Sequence, residues 1–75
     1  MTPNNLRAEM SKFNITLTKL AEVAGLSRQG LYTKIEGKKD WKLTEMVKIY
    51  QFINTFENID FDLLFTDYIE RALNA

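Results

Sequence analysis

The stretch "AGLSRQGLYTKIEGKK", residues 24–39, gathers side chains able to make directed polar contacts. Arg28 and Gln29 follow a serine, Tyr32 and Thr33 come one turn later, and Lys34, Lys38 and Lys39 lie beyond. A guanidinium can donate two parallel hydrogen bonds to O6 and N7 of guanine, and a glutamine amide can pair with N6 and N7 of adenine. Each such pair is worth about 1–3 kcal/mol of discrimination between bases. The segment is therefore either a helix whose outer face reads base edges or the middle of a small helical core. Few other chemistries are open to the chain. It has no cysteine and no histidine, which excludes zinc sites of the Cys/His type, thiol nucleophiles and imidazole relays. "EGKKD" holds a Gly-Lys pair without P-loop spacing around it. Asp60 and Asp62, two residues apart, diverge on a helix and serve as capping groups on a loop. With no nucleophile–base arrangement to propose, neither catalysis, a cofactor nor a metal is expected.

The elements that must position these residues follow from apolar spacing. Leu6, Met10 and Phe13 recur at i, i+4 and i+7, the mark of a helix, and Thr2 before Pro3 is a suitable start because proline is tolerated in a first turn. Thr16 can cap a second helix whose inner stripe is Leu17 or Leu20, Ala21 and Ala24, with Gly25 as its left-handed stop. Three residues separate this helix from a third, which Ser27 can cap, which turns Leu31 and Ile35 inward and which ends at Gly37. "GKKDW" is a polar connection, with Trp41 as a hydrophobic lid over the third and fourth helices. Leu43, Met46, Val47, Tyr50 and Ile53 describe the fourth helix, with Glu45 near its positive end. Phe61, Leu64, Phe65, Tyr68, Ile69, Ala72 and Leu73 form a continuous stripe along about 21 Å of a fifth.

Gly30 is unusual inside a helix, where it costs up to about 1 kcal/mol relative to alanine; either it allows close approach of another group or it is tolerated slack. The expectation is all-α, five helices in a single domain over 1–75, its core about 4–65 and its C-terminal helix about 60–73. Two short helices joined by a tight turn, with a small residue in the first and glycine in the turn, have helix-turn-helix geometry.

"TLTKLAEVAGLSRQGLYTKIEGKK" resembles the lambda-repressor-like group of phage and bacterial regulators. A Leu-Ala pair, a turn glycine, a hydrophobic residue, a serine and a downstream Gly-Lys recur there at this spacing. "LSRQGLYTKIEGKKDWKLTEM" is most similar to small Cro-like regulators and modulator-of-repression proteins of temperate phages of Gram-positive bacteria; the likeness spans roughly residues 6–65. The resemblance implies that Ser27, Arg28, Gln29, Tyr32 and Thr33 line the exposed side of a recognition helix, Ser27 to Ile35, lying in the major groove. Thr18, Lys19, Ser27, Lys34, Lys38 and Lys39 would then contact the DNA backbone and set register without reading sequence. Many members place glutamine at the start of the second helix; Leu17 stands there in this chain and offers no hydrogen bond.

Two functions follow as expectations. One is a Cro-like transcriptional regulator of a lysis/lysogeny switch, binding operator DNA as a homodimer. The other is an antirepressor that uses the face around Leu17 and Arg28 to Tyr32 to bind a phage repressor protein. Net charge is zero, but residues 1–48 carry nine basic side chains against five acidic ones, and residues 49–75 carry Arg71 against five acids. The molecule is thus a dipole with a basic front and an acidic tail. Phe61, Leu64 and Phe65 close the core, whereas Tyr68, Ile69, Ala72 and Leu73 are expected in a dimer or partner contact. Asp62, Asp67 and Glu70 on the polar face of that helix disfavour a membrane surface. "MTPNNLRAEM" has no apolar h-region, and no apolar run reaches membrane-spanning length, so a soluble intracellular protein is expected; the resemblance implies the cytoplasm of a bacterial host cell. No small-molecule substrate is expected.

Overall fold

The computed structural model describes residues 5–74, with the side chains of all but Asp67, Arg71, Ala72 and Asn74 among them; the helix start expected at Thr2–Pro3 lies outside the described residues. The described chain is all-helical, without strands. Its elements are α1 (Asn5–Lys12), α2 (Leu17–Ala24), α3 (Arg28–Ile35), α4 (Leu43–Asn54), α5 (Phe61–Leu64) and α6 (Thr66–Asn74). No helix among the described residues is long and apolar enough to cross a membrane.

Single residues fix the helix ends. Thr16 and Ser27 sit in extended backbone, and their hydroxyls accept the amide protons of Lys19 (3.1 Å) and Gly30 (3.0 Å). Each cap satisfies one of the amides that a helix start leaves unpaired. At the other end, Gly25 adopts φ +73° and Gly37 φ +80°, a left-handed conformation costly for residues with a Cβ. The chain then folds back, so that the Leu26 amide bonds the Ala21 carbonyl (2.9 Å) and the Lys38 amide bonds that of Thr33 (2.9 Å). Asn14, at φ +56°, does the same for α1, with the Ile15 amide reaching Met10 at 2.8 Å.

α2 lies against both α3 and α4, and α1 against α5. Leu6, Leu20, Leu31, Ile49, Ile53 and Phe65 are fully buried between them, with Ala21, Ala24, Ile35 and Leu64 nearly so. The Cα radius of gyration, 11.5 Å, is close to the roughly 11 Å expected of one compact unit of this length.

Three sequence expectations need correction. The buried face of α4 is Glu45, Ile49 and Ile53, while Leu43 is 69% exposed and Val47 lies on the surface. Of the expected stripe Ile53 is buried and Met46 and Tyr50 pack on the core, but Leu43 and Val47 turn outward, because Glu45 turns inward to meet Lys34 of α3 in an ion pair whose side chains are about nine-tenths buried. Glu45 also accepts the Lys42 amide at 2.9 Å, which caps α4. The fifth helix is not continuous: it breaks at Phe65 (φ −110°, ψ 23°), giving six helices among the described residues instead of five. There the Thr66 hydroxyl donates to the carbonyls of Asp62 (2.8 Å) and Leu63 (3.0 Å), and the Asn5 amide donates to Leu63 at 2.7 Å. Side-chain donors occupy carbonyls that an unbroken helix would offer to its own amides. Finally, Trp41 covers the α5–α6 junction, edge-on to Phe65 (5.7 Å between centroids) and Tyr68 (5.4 Å).

Two further ion pairs, Arg7 with Glu36 and Lys12 with Glu57, tie α1 to the end of α3 and to the segment after α4. Their electrostatics set a pH window. Burial pushes the Glu45 carboxyl up, but hydrogen bonds from Lys34 and the Lys42 amide, with the charges of both lysines, bring it below its ordinary value of 4.5. The hydrogen bond from Arg7 likewise holds Glu36 low, and the one Lys12 donates to Glu57 raises the Lys12 ammonium above 10.5. A carboxyl lowered by folding stabilises the fold above its unfolded pKa and loses that contribution as pH falls through the folded one; a raised ammonium contributes below its unfolded pKa and ceases to as pH rises through the folded one. Thermal melts should therefore be flat between roughly pH 5 and 10 and drop on both sides. A melting temperature still constant from pH 5 down to 3 would show that the two glutamates are not held by their partners.

Candidate functional site

The segment from Leu17 to Lys39 presents its polar residues on one side because Leu20, Ala21, Ala24, Leu31 and Ile35 are committed to the core. Ser27 is exposed and engaged as the cap of α3. Arg28 and Gln29, the first two residues of α3, are both exposed, and Tyr32 follows on the same side at 43% exposure. Thr18 and Lys19 are exposed in the first turn of α2, and Lys38 and Lys39 in the loop after α3. Lys19 stands 6.0 Å from the centre of the Phe52 ring, within reach of a weak cation–π attraction. A shallow depression of about 410 Å³ separates the starts of α2 and α3, lined by Leu17, Arg28, Gln29 and Tyr32.

Not every expected site residue reaches this surface. Lys34, expected at a DNA phosphate, is 8% exposed and paired with Glu45, so its charge serves the α3–α4 junction. Thr33 is half-buried, and its hydroxyl donates to the Gly30 carbonyl at 2.8 Å. Leu17 is half-buried against the core instead of standing clear of it, with its remaining surface turned to the depression. Tyr68 and Ile69, expected at a dimer or partner contact, pack on the chain's own core, and the Tyr68 hydroxyl donates to the Ile35 carbonyl at 3.0 Å. Leu73 is 79% exposed, while the side chain of Ala72 lies outside the described residues.

Gly30 acquires a local reason. A Cβ at this position would stand 3.0 Å from the Ser27 hydroxyl, the atom that caps the helix by accepting the Gly30 amide. The missing side chain leaves the cap room.

Lys48 was not anticipated. Its ammonium lies over the α2–α3 turn, 3.9 Å from where a side chain at Gly25 would begin. The carbonyl end of α2 carries partial negative charge, which favours a cation there. Nothing local in the sequence signals this, because Lys48 arrives from α4. Comparison with protein-family models, curated proteins and solved structures found no match.

The electrostatics of this side follow from the pairing. Arg7, Lys12 and Lys34 are engaged by Glu36, Glu57 and Glu45. Lys19, Arg28, Lys38, Lys39, Lys42 and Lys48 belong to no ion pair among the described residues, and the acids left over in residues 5–48 are Glu9, Glu22 and Asp40. A neutral chain thus keeps an excess of unneutralised cations around α2, α3 and the loop after it. Such a surface attracts polyanions through its local field even when net charge is nil.

Proposed function

We propose that this chain is a helix-turn-helix transcriptional regulator of the lambda-repressor-like kind, acting on operator DNA in a phage lysis/lysogeny switch within the bacterial cytoplasm. α3 enters the major groove, where its first turn meets base edges. The observation that carries the reading is that Arg28 and Gln29 stand exposed, side by side, at the amino end of a helix anchored from behind by Leu31 and Ile35. Arg28 donates to a guanine and Gln29 pairs with an adenine. Thr18, Lys19, Lys38 and Lys39, with Lys48 added, contact phosphates on either side. Neither catalysis nor a cofactor enters this activity.

Selection of binding sites from random-sequence duplexes, followed by titration of the recovered site, tests the proposal. Binding should weaken with salt at a slope of about −0.9 per phosphate neutralised. Arg28→Ala should lose roughly 5- to 150-fold in affinity, as expected for about 1–3 kcal/mol, and should relax the preference at one base pair. Lys38→Ala should weaken all sequences alike and lower the slope by about 1. Failure to enrich any duplex at low salt would end the reading.

The depression between Leu17 and Tyr32 favours a second reading, an antirepressor that seats an apolar side chain of a partner repressor there, with Arg28 and Gln29 at the rim. Light scattering of the chain mixed with the repressor encoded beside it separates the two. A 1:1 complex that DNA does not displace supports the antirepressor; two unchanged masses dismiss it.

A further inference from the structure

We propose that the depression between α2 and α3 reads the 5-methyl group of a thymine lying beside the base that Arg28 or Gln29 engages, which makes Leu17 and Tyr32 specificity-determining residues. The inference rests on the DNA-binding reading above. Two observations carry it. First, the face is not uniformly polar: between two exposed donors in the first turn of α3 it has an apolar floor and wall, made by the half-buried Leu17 and the partly exposed Tyr32 ring. Second, Leu17 is the first residue of α2, directly after the Thr16 cap, where a side chain without a donor can neither hold a phosphate nor pair with a base edge.

The floor of the major groove offers hydrogen-bond donors and acceptors at every base pair and one apolar substituent, the thymine methyl. An apolar recess flanked by Arg28 and Gln29 matches a pyrimidine edge with its methyl turned inward, stacked next to a purine whose acceptors face the donors. The Arg28 guanidinium, which lines the depression and belongs to no ion pair among the described residues, favours this occupant over an apolar side chain of a protein.

The test uses the full chain and the duplex recovered by selection. Each thymine is replaced in turn by uracil, which deletes the methyl and leaves every hydrogen-bonding group in place. At one or two positions the wild-type chain should bind the uracil duplex about fourfold more weakly, the effect of returning one methyl group to water. In Leu17→Ala and in Tyr32→Ala, helical content being checked by circular dichroism, that thymine-to-uracil ratio should fall close to one. The ratio is taken within each variant, so partial loss of folded protein cancels. Enrichment of a duplex in which no thymine is distinguished from uracil overturns the inference and leaves the DNA-binding reading standing. So does a ratio that persists unchanged in both folded variants. Enrichment of no duplex at all overturns both.

Discussion

Replacing Glu45 by alanine should lower the stability of the protein by about 3–5 kcal/mol, the usual effect of removing one partner from a buried ion pair. A 75-residue domain has roughly 4–11 kcal/mol in total, so the variant should be largely unfolded or close to it at room temperature. Two losses combine. The ammonium of Lys34, a residue only 8% exposed, is left without its counter-ion, and the Lys42 amide loses the acceptor that caps α4. Glu45→Gln separates them, because the amide oxygen can still accept from Lys42 while the charge is gone. The double variant Lys34→Met with Glu45→Gln should recover most of the loss, since neutral groups of similar size avoid the desolvation of both charges. Urea melts followed by circular dichroism give the double-mutant cycle directly. A coupling energy near zero would mean that the two side chains separate in solution.

Phe65→Ala should cost a comparable 3–5 kcal/mol. The ring is fully buried and meets Phe61 at 5.2 Å, Trp41 at 5.7 Å and Tyr68 at 6.1 Å between centroids. It sits where α5 gives way to α6, so its loss opens a cavity at the joint that seats the last helix. Leu43→Ala is the instructive control. The apolar spacing of α4 puts Leu43 on the inner face, yet it is 69% exposed, and a surface truncation of this kind changes stability by about 0.5 kcal/mol or less. Melting both variants under the same conditions checks the rotation of α4 as well as the role of Phe65; equal losses would place Leu43 inside and contradict the packing.

What could be read from the sequence, and what could not, divides along a physical line. Thr16, Ser27, Gly25 and Gly37 act on atoms within a few residues of themselves, so caps and stops were visible in the chain as written. The same holds for Leu20, Leu31 and Ile35, whose spacing follows the helix period. The exposure of Arg28, Gln29 and Tyr32 follows from those inward residues by exclusion. Errors arose where the deciding partner is distant. Periodicity treats a glutamate as outward, so Glu45 hid the register of α4 and with it Ile49, a fully buried residue absent from the expected stripe. The resemblance implies a phosphate contact for Lys34, because its true partner Glu45 stands eleven residues further on, on another helix. At the break near Phe65 the local bonds of Thr66 are joined by one from Asn5, 58 residues before the Leu63 carbonyl it reaches, and no local pattern encodes that second contact. A straight helix carries Tyr68 and Ile69 past the core as a partner surface; bending the chain at Phe65 brings both back onto it.

The hydrogen bond from Tyr68 to Ile35 spans 33 residues and joins α6 to the last turn of α3. Trp41, wedged edge-on against the same phenol, closes the other side of the joint. The tail is therefore a strut for the helix that carries Arg28 and Gln29, not a free arm: tilting α3 breaks this brace, and gripping α6 stiffens α3 from behind.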